Sequence, residues 1–373
     1  MKIALNHRYF RPQGGVERYL WTFAHTLVEG GHEAHLFCSR FAPPPPEGMI
    51  YHQVPILPLG ESVKAVSFAR SSRRILRGEN YDGIIGFGKT IYGDVYRDGS
   101  GCMKHFSDYQ RGREAGAAPP LSIKQAAFRH LERLRFEPNA FRHIVAISRM
   151  VKEQILSLYN VPEDHISVIY PGVDTARFQS GDREGWRAEV RGDYGISDGE
   201  TVGVTIASGF PRKGIEPLIE ALGRQEAEGW RFLILGKDKH LDRYRMLVEK
   251  SGRADRILFC GWREDVEKHL AASDFFVLNS RFDAFGNSTM EAMASALPCI
   301  VSSKAGSSEV VRDGTNGCVV SDPDNVEELA AALAKLISDR ASRAKMSDKA
   351  LDTAREHTIE KNVEQYLALL PGY

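Results

Sequence analysis

Residues 1–38, MKIALNHRYFRPQGGVERYLWTFAHTLVEGGHEAHLFC, decide which fold class the sequence predicts. Lys2–Asn6 is a short, largely apolar run that is typical of a buried strand. One face of an α-helix follows, because apolar residues recur at helical spacing: Val16, Tyr19, Leu20, Phe23, Ala24, Leu27 and Val28. Gly30-Gly31 then ends the helix, since glycine tolerates the left-handed conformation, and His35–Cys38 begins a second strand. The order strand, loop, helix, strand predicts a parallel α/β sheet.

The same order of elements begins again near residue 202. Val202–Ala207 is a predicted strand, the loop SGFPRKG follows it, and Ile215–Leu222 is a predicted helix. Further strands are predicted at Ile84–Phe87, Ile144–Ile147, Phe232–Leu235, Ile257–Cys260, Phe275–Leu278 and Cys299–Ser302. Because Pro and Gly mark a turn in the stretch YPGVD, the sequence predicts two α/β domains, residues 1–172 and residues 173–357.

Length and composition exclude several classes of protein. With 373 residues the chain is too long for one compact domain and fits two. The 42% of hydrophobic and 26% of charged residues exclude a disordered or fibrous protein. No apolar stretch reaches the ~20 residues of a membrane-spanning helix, and MKIALNHRYF lacks the apolar region of a secretory signal. Five cysteines without CxxC spacing argue against a disulfide framework or a cysteine-rich zinc site, so we expect a cytoplasmic protein.

The formal net charge of zero is the sum of two opposed regions. Lys+Arg and Asp+Glu both number 49, which disfavours a nucleic-acid partner. Residues 1–172 nevertheless carry a net charge of +6, residues 173–373 carry −6, and residues 64–152 alone carry +9. Residues 121–136, LSIKQAAFRHLERLRF, are a predicted basic amphipathic helix within the positive region. Such a helix either packs on the core with a basic exterior or lies on an anionic membrane surface, and both interpretations stay open.

Two glycine-containing loops precede predicted helices and are candidate phosphate sites. Gly14 and Gly15 stand just before the first helix, whose N-terminal N–H groups and dipole attract anions. A tight turn is the alternative, since no GxGxxG fingerprint is present. Arg212 and Lys213 stand between a strand and a helix, where two cations can neutralise a diphosphate. The alternative there is a solvated basic loop.

The most informative segment is Ser280–Pro298, SRFDAFGNSTMEAMASALP. Asp283 and Glu291 are separated by seven residues, and the turn FGN at 285–287 leads into a predicted helix. A carboxylate on each side of an N–H-rich turn suits a hydroxyl-rich ligand that carries phosphate. Ser288 and Glu291 also match S-x-x-E, a capping box, which would give Glu291 a structural role.

The polar segment Phe87–His105, FGKTIYGDVYRDGSGCMKH, is predicted to be a loop after a strand that lines a cleft. Asp94, Asp98 and His105 are its candidate functional residues, although a single Asp in such a loop is more often a turn or cap residue. None of the twelve histidines forms HExxH or another metal-ligand spacing. The sequence therefore predicts neither a metal nor a cofactor.

In their order along the chain, these motifs resemble family-4 retaining glycosyltransferases. That family has the GT-B fold, an α/β architecture of two Rossmann-like domains whose parallel sheets face each other across a cleft. The Asp283–Glu291 spacing is similar to the family's E-x7-E signature, and residues 283–320 resemble its donor-binding segment throughout. The GG pair, YPGVD and SGFPRKG also match. NHRYFRPQGGVERY, FGKTIYGDVYRDG and FPRKG look most like members that act on lipopolysaccharide core in Gram-negative bacteria.

The resemblance implies a nucleotide-sugar donor that is bound mainly by the second domain. Glu291 would hold the nucleotide ribose. Asp283 would hold the sugar hydroxyls together with backbone from the following turn: Phe285, Gly286, Asn287 and Ser288. The family's C-terminal helix usually returns to the first domain, so residues 358–373 would pack there.

The resemblance also implies how the phosphates are handled. Arg212 and Lys213 would stabilise the departing diphosphate in place of a metal ion, and Gly15, beside Gly14, would approach the phosphates from the first domain. Retention in this family is described as front-face attack, in which the leaving phosphate takes the acceptor proton, so no side-chain nucleophile is implied. Asp98 and His105 would lie on the acceptor side.

Three features depart from the family's pattern. Asp283 replaces the usual first Glu and is one methylene shorter, so contacts to the sugar shift. Phe210 stands where an Arg often follows the glycine of the phosphate motif, which leaves the two later cations to carry the charge. Ser100 and Met103 stand where relatives tend to carry Asp, Gly or His, which bears on the acceptor side.

The predicted function is that of a retaining hexosyltransferase which moves glucose from UDP-glucose to a lipid-linked glycan such as lipopolysaccharide core. The expected partners are the donor, the acceptor and an anionic membrane surface bound through residues 64–152. The protein would then lie in the cytoplasm, peripherally on the inner face of the cytoplasmic membrane. A GT-B nucleotide-sugar 2-epimerase and a non-catalytic nucleotide-sugar-binding protein are the alternatives.

Overall fold

Two compact units make up the part of the chain that the computed structural model describes, residues 1–10, 15–41, 47–112 and 122–373. The first unit comprises Met1–Gly172 and Ile359–Tyr373, and the second comprises Val173–Thr358. Each unit contains a sheet of parallel strands with helices between most of them. The predicted α/β class and the two Rossmann-like units are confirmed.

The main sheet of the first unit has, within the described ranges, seven strands in the order β5-β3-β1-β6-β7-β8-β9. The strands of this unit are β1 (Lys2–Asn6), β2 (Tyr9–Phe10), β3 (Glu33–Cys38), β4 (Arg40–Phe41), β5 (Met49–Gln53), β6 (Gly83–Phe87), β7 (Gly93–Asp98), β8 (Phe141–Ala146) and β9 (Ile166–Val168). Its helices before the unit boundary are α1 (Gly15–Glu29), α2 (Gly60–Leu76), α3 (Met103–Gly112), α4 (Ile123–Arg135) and α5 (Arg149–Leu158). Strands β2 and β4 form a separate short parallel pair.

The sheet of the second unit has six strands in the order β12-β11-β10-β13-β14-β15. These are β10 (Thr201–Ser208), β11 (Trp230–Lys237), β12 (Ile257–Gly261), β13 (Phe275–Leu278), β14 (Cys299–Ser302) and β15 (Gly317–Val320). The helices are α6 (Thr175–Gln179), α7 (Arg183–Asp193), α8 (Ile215–Gly223), α9 (Leu241–Lys250), α10 (Val266–Ala272), α11 (Asn287–Ala294), α12 (Val326–Ser338) and α13 (Arg340–Glu356). The last helix, α14 (Ile359–Leu367), belongs to the first unit.

Aromatic side chains join α1 and α14 in the core of the first unit. The rings of Phe23 and Tyr366 meet edge-on with centroids 5.3 Å apart, a favoured aromatic geometry. The Tyr19 hydroxyl donates to Asn362 Oδ1 at 2.5 Å. A Cβ on Gly83 would lie 2.4 Å from a methyl carbon of Leu370, so the C-terminal segment fills the space over β6. The C-terminal helix is thus an integral part of the first unit.

Each sheet has a topological switch point, because the first strand of the unit is internal. β1 lies between β3 and β6, and β10 lies between β11 and β13. Later strands are therefore added on both sides of β1 and of β10, and the strand order reverses there. Ligands of open α/β sheets bind beyond the carboxyl ends of strands at such points. The loops after β10 and β13, and those after β1 and β6, are therefore where this fold can position a site.

The prediction of a single loop over Phe87–His105 is wrong. Gly93–Asp98 forms strand β7, and Met103 begins helix α3. The sequence pattern did not indicate β7, because its buried residues include the charged Arg97 and Asp98, which are each 2% exposed. The Arg97 guanidinium lies 3.8 Å from the centroid of the Tyr19 ring, a cation–π contact that offsets part of its burial.

Helix α4 corresponds to the predicted basic amphipathic helix of residues 121–136. A capping box between Ser122 and Gln125 begins the helix, because each side chain bonds the other residue's backbone N–H group. Leu121, the first residue of the prediction, lies outside the described residues. Neither α4 nor another helix in the described ranges is long and apolar enough to cross a membrane.

Candidate functional site

The loop between β10 and α8 is held against the end of β13. Gly209 and Gly214 have φ values of 71° and 61°, which turn the chain sharply. A Cβ on Gly214 would lie only 2.1 Å from the Asn279 carbonyl oxygen, so glycine is needed at this contact. The Arg281 N–H group also donates to the Arg212 carbonyl at 2.8 Å. The two loops of the switch point are thereby fixed to each other.

Arg212, Lys213 and Asp283 form an ion cluster at this switch point. Asp283 Oδ2 accepts hydrogen bonds from Lys213 Nζ at 2.6 Å and from Arg212 Nη1 at 3.0 Å. Arg212 also donates to the Phe282 carbonyl at 3.0 Å. The Lys213 and Asp283 side chains are only 9% and 15% exposed, so their pair is largely removed from water. The structure thus brings together the three residues for which the sequence suggested donor chemistry.

The cluster carries two positive charges and one negative charge. Burial alone would raise the pKa of the Asp283 carboxyl, but attraction to Lys213 and Arg212 outweighs burial and holds that pKa below its usual value. The carboxylate is therefore ionised at neutral pH and shared by both cations. A phosphate at this point would meet cations that are already oriented and partly desolvated, which strengthens the attraction.

The turn before α11 presents backbone groups. Phe285 is 1% exposed, so its ring belongs to the core, and its carbonyl accepts from the Ser307 N–H group at 2.9 Å. Gly286 has a φ of 92°, and a Cβ there would lie 2.4 Å from Leu278 Cδ2. The first N–H groups of α11, beginning at Asn287, have no partner within the helix and form the positive end of its dipole.

The predicted capping box at Ser288 and Glu291 is wrong. Gly286 is the residue that precedes α11, and its left-handed conformation starts the helix at Asn287. Ser288 is therefore the second helical residue, and Glu291 lies beyond the first turn. Both side chains are half-buried, and their spacing places them one turn apart on the same side of α11. Helix capping accordingly does not account for Glu291.

The glycine pair of the first unit is only partly described. Gly14 lies outside the described residues. Gly15 is the first residue of α1, and a Cβ there would meet no atom of the described ranges within 4 Å. The open surface leaves room for close approach to the backbone, but no contact assigns it a role.

The two acceptor-side candidates lie on different elements. Asp98 ends β7, and its Oδ1 accepts from the Ser100 N–H group at 3.3 Å. Burial raises the pKa of the Asp98 carboxyl, with Arg135 opposing the shift. His105 lies on α3, where Nε2 is 3.4 Å from the Ser157 hydroxyl of α5. Asp98 is thus a buried side chain, and only His105 keeps a more accessible position.

Asn279 is a site residue that the sequence reasoning missed. Its Nδ2 donates to the Pro323 carbonyl at 2.8 Å and to the Gly214 carbonyl at 3.4 Å. It therefore positions the loop that carries the two cations. The signal in the sequence was an amide side chain directly after the apolar run of β13. Asn279 is only 1% exposed, and a polar side chain that is so buried normally makes hydrogen bonds to its neighbours.

Among the residues that the structure describes, no group of three or more His, Cys, Asp or Glu side chains is arranged to hold a metal ion. All five cysteines are buried free thiols. Arg212 and Lys213 are the cations placed at the carboxyl edge of the second sheet's switch point. The arrangement can bind an anion that is flanked by hydrogen-bond donors of α11.

Two family models match the chain, one in each half. Residues 13–177 match Glycosyltransferase Family 4, and residues 187–353 match Glycosyl transferases group 1. Lipopolysaccharide glucosyltransferase WaaG of Escherichia coli K12 is 23% identical over 369 residues, which are 98% of this chain and 97% of that protein. The lipopolysaccharide core biosynthesis glycosyltransferase LpsE of Rhizobium meliloti is 31% identical over 43% of this chain and 46% of its own.

Solved structures have the same architecture. The crystal structure of WaaG, described as a glycosyltransferase involved in lipopolysaccharide biosynthesis, superposes with a TM-score of 0.83 at 22% identity, over 100% of both chains. Anabaena HepE in complex with UDP-glucose gives a TM-score of 0.75 at 18% identity, over 99% of this chain and 100% of that one. These likenesses identify the fold.

Proposed function

The chain is a glycosyltransferase of the family-4 type with the GT-B fold, and from that premise we propose that it transfers glucose from UDP-glucose to a lipid-linked glycan such as lipopolysaccharide core, with retention at the anomeric carbon. The name of WaaG as a lipopolysaccharide glucosyltransferase supports the choice of sugar and acceptor class. The UDP-glucose held by HepE supports the choice of donor. The name of LpsE likewise refers to lipopolysaccharide core biosynthesis.

The observation that carries this proposal is the pairing of Arg212 and Lys213 with Asp283. In glycosyl transfer from a nucleotide sugar, negative charge develops on the diphosphate as the sugar leaves. Two fixed, partly desolvated cations stabilise that charge more than they stabilise the bound donor. On binding, the phosphate takes over part of the contact that Asp283 now makes. The carboxylate is then available to accept from sugar hydroxyls.

Around this pair, the turn and helix α11 would hold the rest of the donor. The backbone of 285–288 would donate to the sugar and phosphate, and Glu291 would accept from the ribose hydroxyls. In front-face attack, a donor phosphate oxygen takes the proton of the acceptor hydroxyl, so this scheme requires no side-chain nucleophile.

On the acceptor side, Asp98 and His105 would have different tasks. Asp98 is buried and bonds the turn at Ser100, so we assign it a positioning role. His105 lies on α3 and could contact the acceptor. Substitution of His105 should then raise the acceptor KM and leave the donor KM unchanged.

We also propose that the first unit lies on an anionic membrane surface, on the cytoplasmic side. Helices α2 and α4 pack together. Residues 64–152, which contain α4 and all of α2 after its first four residues, carry a net charge of +9. Exposed apolar side chains accompany this charge: Leu57 is 57% exposed, Leu59 is 64% exposed and Ile123 is 84% exposed. Apolar side chains beside basic ones suit the headgroup region of a bilayer.

The test of the proposed function is transfer from UDP-glucose to extracted core acceptor, followed by product analysis. Formation of an α-linked glucoside supports the proposal. No turnover of any donor in a panel of nucleotide sugars would refute it and favour a binding protein. Conversion of the donor to its 2-epimer without acceptor would establish the epimerase instead.

A further inference from the structure

The carboxyl edge of the first unit's sheet contains buried polar atoms that have no hydrogen-bond partner in the described part of the chain. At the switch point between β1 and β6, Asn6 Oδ1, His7 Nδ1 and Thr90 Oγ1 have no hydrogen-bond partner among the described residues. Asn6 and Thr90 are both 0% exposed. Because buried polar groups are normally satisfied, such a cluster indicates an edge that water or a ligand completes.

Lys89 extends from the same edge, two residues after the end of β6. Its Nζ lies 4.9 Å from the centroid of the Phe128 ring of α4. Within the described residues, Lys89 makes neither a hydrogen bond nor an ion pair. Burial, and then repulsion from Arg135, lowers the pKa of this lysine to about 8. Because the side chain is half-buried, its ammonium is partly desolvated and would be stabilised by an approaching anion.

Most charged groups near Lys89 have other partners. The exception is the exposed Lys124 of α4, whose Nζ lies 5.7 Å from the centroid of the same Phe128 ring. Arg135 of α4 donates to the carbonyls of Thr90 and Gly88 at 3.1 and 2.6 Å. Arg8, after β1, donates to Glu61 at 2.8 Å.

The carboxylates near Lys89 are engaged in the same way. Glu132 of α4 accepts from the Tyr159 hydroxyl at 2.5 Å and from the Met103 N–H group at 2.6 Å. Asp98, at the end of β7, accepts from Ser100. Lys89 is thus the half-buried charged group at this edge whose anionic partner has to come from outside the described residues.

We propose that Lys89 binds an anionic substituent, a phosphate or a carboxylate, on the acceptor saccharide. The proposal rests on the glycosyl-transfer function given above and names the chemistry of its acceptor. An ammonium is a compact point charge that suits either oxyanion. The nearby polar atoms of Asn6, His7 and Thr90 that lack a protein partner would form hydrogen bonds with saccharide hydroxyls or with water ordered by the bound saccharide.

The first test measures acceptor KM for the wild type, Lys89→Met and the control Lys345→Met, whose side chain is exposed on α13 of the second unit. Each enzyme receives native core acceptor, enzymatically dephosphorylated acceptor and carboxyl-reduced acceptor. Loss of one charge-assisted hydrogen bond predicts a rise in KM of about tenfold or more for Lys89→Met on native acceptor. The control should match the wild type.

The modified acceptors identify the anion. If Lys89 binds phosphate, dephosphorylation raises the wild-type KM by the same factor and leaves Lys89→Met unaffected, whereas carboxyl reduction affects both enzymes equally. The opposite pattern identifies a carboxylate. An unchanged KM for Lys89→Met, or an effect that is equal on all three acceptors, overturns the proposal.

A pH profile separates anion binding from a structural role. Because Lys89 loses its charge as the pH rises through about 8, the wild-type acceptor KM should increase from pH 7 to pH 9, whereas that of Lys89→Met should stay flat. Lys89→Arg, which remains charged, should keep a low KM at pH 9. Thermal unfolding of Lys89→Met should occur at an equal or higher Tm, since the substitution removes a desolvated charge.

A binding measurement keeps this proposal distinct from the proposed function. With the donor site saturated by UDP, glucose 6-phosphate should raise the Tm of the wild type more than that of Lys89→Met, and glucose should raise neither. If transfer never occurs but this difference persists, the glycosyl-transfer function fails and the anion site stands. If transfer occurs and neither KM nor Tm distinguishes the variants, the anion site fails.

Discussion

Replacement of Lys213 by Met removes one of the two cations of the ion cluster and keeps a side chain of similar length. Lys213 Nζ now lies 2.6 Å from Asp283 Oδ2, with the lysine side chain only 9% exposed. A phosphate oxygen in the same place would lie about 3 Å from the ammonium. At an effective dielectric constant of about 20, two unit charges at that distance interact by roughly 5–6 kcal/mol.

Only the charge that develops during bond breaking contributes to the rate. If roughly half a charge accumulates on the leaving diphosphate, Lys213 lowers the barrier by about 2.8 kcal/mol, which corresponds to a factor of about 100 in kcat. Removal of a single charge-stabilising donor in other enzymes costs a similar factor of about 10²–10³. We therefore expect kcat of Lys213→Met to fall about 100-fold.

The assay measures UDP release at saturating donor and acceptor for the wild type, Lys213→Met and the control Lys239→Met, whose side chain is exposed in the same unit. Asp283 keeps its bond to Arg212 in the variant, so folding should be weakened by only about 1–3 kcal/mol, which a Tm measurement checks. A kcat for Lys213→Met within about threefold of the wild type, with the fold intact, would refute the electrostatic reasoning.

Three further predictions concern stability and surface binding. Gly286→Ala should lower Tm, because φ is 92° and the new Cβ would lie 2.4 Å from Leu278 Cδ2, whereas the helical control Gly192→Ala should raise stability by about 0.5–1 kcal/mol. Asp283→Asn should unfold more easily than the wild type at neutral pH. Because the folded-state pKa of Asp283 is lowered, its stabilisation is present above the unfolded value of ~3.9 and is lost as pH falls through the folded value, so the Tm difference should shrink in acid. The amount of protein that sediments with anionic vesicles should fall as added salt shortens the Debye length from ~10 to ~3 Å. Ile123→Ser should reduce vesicle binding about tenfold. Vesicle binding that does not change with salt would contradict the proposal that the first unit lies on an anionic membrane surface.

Much of the fold was accessible from local patterns. The predicted strands Phe275–Leu278 and Cys299–Ser302 have the bounds that the structure gives them. Strands in the middle of a parallel sheet are buried on both faces, so they are continuous apolar runs and stand out between polar loops. Helix α1 was equally visible, because its buried residues recur at helical spacing along one face.

Strand β7 and the start of α11 were not accessible in this way. The charged Arg97 and Asp98 are typical of a loop, but contact with the Tyr19 ring and a hydrogen bond from the Ser100 N–H group compensate part of the cost of burying them. The capping box at Ser288 is a sound local pattern, yet the helix begins earlier because Gly286 can adopt a left-handed conformation. The first error arises where a contact distant in sequence outweighs local preference, and the second where one local signal outweighs another.

By itself the sequence determined the α/β class, the repetition of strand and helix, and the chemical types of residue available for a diphosphate. Those properties depend on spacing along the chain, because the buried face of a helix or strand requires apolar residues at regular intervals in the sequence. Only the tertiary structure decided that Asp283 shares both Arg212 and Lys213, and that Lys89 lacks an anionic partner among the described residues. The physical reason is that charge–charge energies depend on distance and desolvation in space, and residues 70 positions apart meet only when the sheet has formed.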